Sequence, residues 1–144
     1  MTTEAWSGTY ESVPVGASES STRVIDARAI DAFANAIESF NPVHMDGDWV
    51  RANTNFPDRI AHGVMTTALM SPPIAAFCER WRIRTALLST ASKYIRPVVV
   101  GDIITTVIRV TDKDDERRRI RLEAKVTNQR DELVMIGEAV EQAL

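Results

Sequence analysis

The sequence predicts an α+β domain in which an antiparallel sheet packs against one long central helix. Residues Gly63 to Arg80 are nearly all apolar or small, which is typical of a buried helix. The C-terminal third of the chain alternates apolar and polar residues, which is typical of strands with one buried and one wet face. Several strands joined by short polar turns after one helix favour the α+β class.

The N-terminal half should begin with a short edge strand from Thr9 to Val15, since Pro14 excludes a central position. The polar residues 18 to 22 are typical of a loop or of the start of a strand. Asp26 is suited to cap a helix. This helix should end near Glu38 and Ser39, because the proline at position 42 disfavours a helical Asn41. Its predicted apolar face consists of Ile30, Phe33, Ala34 and Ile37.

The middle of the chain should contain a second short helix capped by Asp46, carrying Trp49, Val50 and Ala52. Phe56-Pro57-Asp58 has the composition of a turn. Within the long apolar helix, Pro72-Pro73 predicts a kink, or a break followed by a new start.

Four segments of the remainder are predicted strands, separated by polar turns at Lys113 to Glu116 and Asn128 to Asp131. These strands are Ala86 to Ile95, Asp102 to Thr111, Arg118 to Thr127 and Glu132 to Val140. The side chains expected on the buried face are Ile104, Ile108, Val110, Ile120, Leu122, Ala124, Val126, Val134 and Ile136.

Composition indicates one domain covering residues 1–144, because 144 residues with 44% hydrophobic content support a single core. The net charge of −3 gives no basic field for nucleic acid, and the arginines at 117 to 119 are flanked by acidic residues. No apolar run approaches the roughly 20 residues of a membrane span. The N-terminus lacks the pattern of a secretion signal. Cys78, the single cysteine, is predicted to be a buried structural thiol, and we expect a cytoplasmic protein.

Candidate chemistry is concentrated between residues 38 and 63, where both histidines of the chain occur. Asn41-Pro42 restrains the loop that carries His44. His62 precedes Gly63, and Gly63 opens the apolar helix, where free backbone N–H groups can bind an oxyanion. Each feature also has an ordinary structural explanation. Zinc-type ligand spacing is missing, so we expect no metal and no cofactor.

Four motifs in this order resemble those of the MaoC-like dehydratases and (R)-specific enoyl-CoA hydratases. They are Asn-Pro-Val-His-Met-Asp (41–46), Arg-Ile-Ala-His-Gly (59–63), Tyr-Ile-Arg-Pro-Val-Val-Val-Gly-Asp (94–102) and Val-Thr-Asn-Gln (126–129). The resemblance implies a hotdog fold, a homodimer with active sites near the subunit boundary, and acyl-CoA or acyl-carrier-protein substrates. It further implies that His44 is the catalytic histidine, that Asn41 is the asparagine of the motif, and that the N–H of Gly63 polarises the thioester carbonyl.

The sequence departs from the family pattern Gly-Asp-x-Asn-Pro-x-His at two positions. Ser39 stands where the catalytic Asp is expected, and Glu38 stands where the Gly is expected. A neutral Ser can orient water but cannot act as a base near pH 7. Either Glu38 replaces the base, or His44 is the only acid/base group, or hydratase chemistry has been lost; Asp46 is a further, less favoured replacement.

The leading hypothesis is therefore a hydratase or dehydratase acting on a 2-enoyl or 3-hydroxyacyl thioester through His44. The alternatives are a thioesterase or thioester isomerase on the same fold, or a degenerate acyl-binding subunit that partners an active one. The candidate substrate-binding residues are His62, Asp46, Phe56 and Met65, although core packing explains the apolar ones equally well.

Overall fold

The computed structural model describes residues 6–144, and these form one five-stranded antiparallel sheet with helices packed on one face. The strand order is β1-β3-β4-β5-β2. The α+β prediction is thereby confirmed. The strands are β1 (Ser18–Ile25), β2 (Thr85–Tyr94), β3 (Asp102–Asp114), β4 (Arg119–Thr127) and β5 (Leu133–Ala143); the helices are α1 (Ala27–Ile37), α2 (Pro42–Met45), α3 (Gly47–Asn53), α4 (Gly63–Ala68) and α5 (Ser71–Trp81).

The core lies between the central strands and α5. Alternate side chains of β3 and β4 point into it, as their period-two pattern predicts. Phe77 of α5 is fully buried against them. The predicted inward residues of these two strands are all buried, namely Ile104, Ile108, Val110, Ile120, Leu122, Ala124 and Val126.

The prediction for β5 was right for Val134 and wrong for Ile136. Val134 is fully buried, whereas Ile136 is 48% exposed on the outer face of the sheet. The pairing of β4 with β5 shifts register between Val126 and Thr127. This bulge buries both Val134 and Met135, so every later residue of the strand faces opposite to the simple alternation.

The edge-strand prediction for Thr9 to Val15 was wrong, because residues Tyr10–Ser12 form a 3₁₀ helix. Residues three apart lie on the same side of a 3₁₀ helix, and Tyr10 and Val13 are accordingly both buried. The strand of this region is instead β1, which pairs antiparallel with β3. It is polar because it forms one edge of the sheet and is largely exposed up to the buried Ile25.

The expected break in the long helix is confirmed, and it falls at Leu69 and Met70, shortly before the two prolines. Pro72 and Pro73 occupy the first turn of α5, where a missing backbone N–H costs no hydrogen bond. The prediction that the helical segment from Gly63 to Arg80 is buried on all sides was wrong, since Val64 is 58% exposed. The reason is that the sheet covers only one side of these helices.

The arginines of the β3–β4 turn are paired with acids, one of them with a flanking residue and the other with a residue distant in sequence. Arg117 contacts Asp114 at 3.2 Å, and Arg118 contacts Glu11 at 2.9 Å. They lie in the turn that precedes β4, so the prediction that Arg118 begins the strand was one residue early. Across residues 6–144, no helix combines the length and the apolar character required to cross a membrane.

Candidate active site

The segment between α1 and α4 carries most of the predicted site residues. Helix α1 is capped by Asp26, as predicted, and ends at Glu38, which adopts a left-handed conformation with φ of 55°. Asn41 caps α2 by accepting a hydrogen bond from the Val43 N–H at 3.3 Å. Asp46 closes α2 and caps α3 through the Trp49 N–H at 3.0 Å, again as predicted. The chain therefore makes two tight, capped turns that fix the position of α2.

His44 lies in the last turn of α2, and its ring orientation is set by one hydrogen bond. Its Nδ1 lies 2.8 Å from the carbonyl oxygen of Ile60. A carbonyl can only accept, so Nδ1 carries the proton and Nε2 of the neutral ring is a free acceptor. Burial lowers the pKa of His44, the Ile60 hydrogen bond opposes this, and the nearby His62 and Arg59 lower it further. The ring is therefore neutral near pH 7, and its Nε2 is free to accept a proton.

Arg59 holds α2 against α1. Its Nε donates to the carbonyl oxygen of His44 at 2.5 Å, and its guanidinium forms an ion pair with Asp31 of α1. The arginine side chain is 13% exposed, whereas the Asp31 side chain is 48% exposed, so the ion pair lies at the edge of the protein surface. The backbone N–H of Ile60 donates to the Val43 carbonyl at 3.1 Å. These contacts make the His44 position rigid.

His62 is buried directly against His44. The two rings stack with centroids 3.8 Å apart and an interplanar angle of 27°, and Phe33 packs at 5.3 Å from His62. Nε2 of His62 donates to the carbonyl oxygen of Ser39 at 3.0 Å. Its Nδ1 is buried and has no hydrogen-bond partner within the described part of the chain. His62 thus packs against the His44 ring and links it, through a hydrogen bond, to the backbone of Ser39.

Gly63 is the first residue of α4, so its N–H has no acceptor inside the helix. A Cβ added at this position would lie 3.4 Å from Cζ of Tyr94. Glycine therefore leaves open the space beside the tyrosine ring that a larger side chain would fill.

An open cleft of 330 Å³ joins these groups. It contains three of the predicted residues, His44, Gly63 and Phe56. It also contains Thr66 and Tyr94, which were not among the sequence-based candidates. The remaining wall is formed by Ile60, Ala61, Ile95, Arg96, Pro97 and Val98.

The other predicted site residues lie outside this wall. Glu38, Asn41 and Asp46 are exposed at helix ends, and Ser39 meets the site through its backbone carbonyl. Met65 is 6% exposed and packs in the hydrophobic core. A cluster of three or more side chains suited to a metal was not found among residues 6–144.

The family model for the MaoC-like domain matches residues 14–131. The chain belongs to the MaoC-like domain family. The 3-hydroxybutyryl-CoA dehydratase of Methylorubrum extorquens is 31% identical over 91% of this chain and 81% of its own length. The (R)-specific enoyl-CoA hydratase of Aeromonas caviae is 28% identical over 90% of this chain and 95% of its own.

Solved structures agree with the family assignment. The unliganded R-hydratase from Pseudomonas aeruginosa superposes with a TM-score of 0.81 and 33% identity, covering 93% of this chain and 84% of that one. The hotdog fold and the family predicted from the four motifs are therefore confirmed.

Proposed function

We propose that this MaoC-like protein hydrates a 2-enoyl thioester, or dehydrates the corresponding 3-hydroxyacyl thioester, with His44 as its general base and acid. Relatives that match most of the chain are named for this chemistry. The single observation that carries the proposal is the pairing, in one cleft, of a neutral His44 with a free backbone N–H at Gly63.

The reaction can be written with this one base. Nε2 of His44 removes a proton from water as the water oxygen bonds to C3 of the enoyl group. The C2–C3 π electrons move toward the thioester, and the charge on its oxygen is stabilised by the N–H of Gly63. His44 then returns the proton to C2. The proton taken from water is the one delivered to carbon, so a second base is not required.

Glu38 and Ser39 have different supporting roles in this proposal. Glu38 is exposed at the end of α1 and is not part of the cleft wall, which argues against a role as base. The carbonyl of Ser39 anchors His62, which stacks on His44. We therefore assign Ser39 to positioning through its backbone, and we expect a slower reaction than in a site with an Asp there.

Purified protein incubated with trans-2-enoyl-CoAs should lower the enone absorbance, and His44→Ala should remove this activity. Val107→Ala is a suitable control, because Val107 is exposed on the outer face of β3 and lines neither this cleft nor the neighbouring cavity. Equal rates for wild type and His44→Ala would overturn the proposal.

A one-base cleft is also compatible with isomerisation of a thioester, so this is the second candidate function. An isomerase would exchange deuterium from solvent into the acyl chain without adding water, and mass spectrometry distinguishes the two. Release of free CoA thiol would instead indicate a thioesterase. Binding without any of these reactions would indicate an acyl-binding partner subunit.

We further propose that the active form is a homodimer using acyl-CoA in the cytoplasm. Strand β2 is a free edge of the sheet and exposes Leu87 and Leu88, at 56% and 48%. Residues 94 to 98, at and just after its end, line the cleft, so a second copy at this edge would complete the site. Light scattering after size exclusion should give twice the chain mass, and Leu88→Lys should give the monomer.

A further inference from the structure

A second cavity lies between α4, α5 and the β2 edge of the sheet. Its volume is 270 Å³, and its wall is largely apolar, with Val64, Ile74 and Leu87 among the lining residues. One carboxyl group, that of Glu141 on β5, also lines it. A carboxyl in a largely apolar wall is unusual, because burying a polar group costs free energy unless it is hydrogen-bonded.

The cavity adjoins the candidate active site. Val64, which lines it, directly follows Gly63, the proposed oxyanion residue. Thr67 also lines it, and the Thr67 hydroxyl hydrogen-bonds at 2.5 Å to the hydroxyl of Tyr94, which lines the His44 cleft. The two spaces therefore lie on either side of this hydroxyl pair.

Glu141 is turned into the protein with only 3% of its surface exposed. The burial pattern of β5 puts it on the inner face with Gly137 and Ala139, whereas Glu138 lies on the outer face and pairs with Arg121. None of the ion pairs among residues 6–144 includes Glu141. The Thr85 hydroxyl hydrogen-bonds the Glu141 carboxyl, and the Cys78 thiol lies 3.3 Å from that hydroxyl.

We propose that this cavity takes the acyl chain of the substrate and that Glu141 hydrogen-bonds a hydroxyl group near the far end of that chain. The inference rests on the proposed function and names its substrate class, a hydroxylated acyl thioester. An unsubstituted alkyl chain would fill the apolar cavity, but it would offer the buried carboxyl no hydrogen-bonding group.

A hydroxyl fits this carboxyl better than an ammonium group does. Burial raises the pKa of Glu141, and the Thr85 hydroxyl opposes this only in part, so the surroundings disfavour the charged form. A cation would require that charged form. A hydroxyl both donates and accepts, and so it can pair with either form of the carboxyl.

The test compares ω-hydroxy-2-enoyl-CoAs with alkyl 2-enoyl-CoAs of equal heavy-atom number, such as 6-hydroxyhex-2-enoyl-CoA and hept-2-enoyl-CoA, over several chain lengths. Wild type should prefer the hydroxylated ester by at least about tenfold in kcat/KM at its best length. Glu141→Leu should reverse this preference, and Glu138→Leu should leave it unchanged. Glu141→Gln can still hydrogen-bond a hydroxyl, so this variant should retain part of the preference for the hydroxylated ester.

Calorimetric binding of the saturated CoA esters, 6-hydroxyhexanoyl-CoA against heptanoyl-CoA, separates this inference from the proposed function. Turnover of both esters without preference at any length would overturn the inference and leave the function standing. Preferential binding of the hydroxylated ester that is lost in Glu141→Leu, without any turnover, would support the inference and overturn the function. Failure of both CoA esters to bind would overturn both.

Discussion

Replacing Gly63 by alanine adds one methyl group at the proposed oxyanion site. The new carbon would lie 3.4 to 3.6 Å from the Cζ, Cε1 and Cε2 atoms of the Tyr94 ring, at the close end of van der Waals contact. Gly63 does not have a positive φ and lies in a helix, so alanine is compatible with its backbone. Alanine in a helix is favoured over glycine by about 0.5–1 kcal/mol, which offsets the crowding. The free energy of unfolding should therefore change by less than about 1 kcal/mol.

The effect on activity should be much larger than the effect on stability. In the proposed site the thioester oxygen accepts a hydrogen bond from the Gly63 N–H beside the Tyr94 ring, and the added methyl group would crowd that oxygen. Loss of one oxyanion donor typically lowers kcat by about 100- to 1000-fold, and we predict a loss in kcat/KM of about 100-fold or more.

Rates of 2-enoyl-CoA hydration and thermal unfolding curves should be measured together for Gly63→Ala and for Val107→Ala. The control shortens an exposed side chain on the outer face of β3 and should keep its rate within a few-fold of wild type. A Gly63→Ala enzyme that retains rates within about threefold of wild type would refute the assignment of this N–H.

Four further perturbations test other parts of the account. Ser39→Asp restores the family residue and should raise the hydration rate by about tenfold or more, whereas Glu38→Gln should leave the rate unchanged; an inactive Glu38→Gln would identify that carboxylate as the base. Phe77→Ala should lower the free energy of unfolding by about 3–5 kcal/mol, read from denaturant titration, because the ring is fully buried; a loss below about 1 kcal/mol would contradict its place in the core. Stability should fall as pH drops below about 6.5, because burial lowers the pKa of His44 in the folded state and the unfolded chain binds that proton more readily. The fall in melting temperature between pH 7.5 and 5 should be smaller in His44→Gln, and an equal fall in both proteins would remove His44 as a cause.

The fold could be predicted where local pattern and burial agree. Strand β3 up to Val110 and strand β4 alternate buried and more exposed residues, so Ile104 and Ile120 were placed in the core correctly. Residues 18 to 22 were predicted only as a loop or the start of a strand, because an edge strand needs little apolar surface and β1 is mostly polar up to Arg23. Ile136 was misplaced because a bulge in the pairing with β4 reverses the faces, and a pairing register is not visible in one strand alone.

Local sequence motifs predicted part of the site, but they could not predict all the residues that line the cleft. The motifs around His44 and Gly63 lie close in sequence, and the structure brings both into one cleft. Tyr94 and Thr66 reach that cleft only through the packing of β2 and α4. Glu141 lies in the last strand with no motif around it, and only the tertiary structure shows that it is buried beside a cavity.

Nitrogen-15 NMR of the two histidines, recorded across pH beside the pH dependence of kcat/KM, tests the assignment of His44 as the base most directly. A His62→Asn spectrum assigns the signals. The account predicts that neutral His44 carries its proton on Nδ1, that its pKa lies below 6.5, and that the rate rises with pH at the same midpoint. A proton on Nε2, or a rate that rises at a midpoint different from the His44 titration, would contradict it.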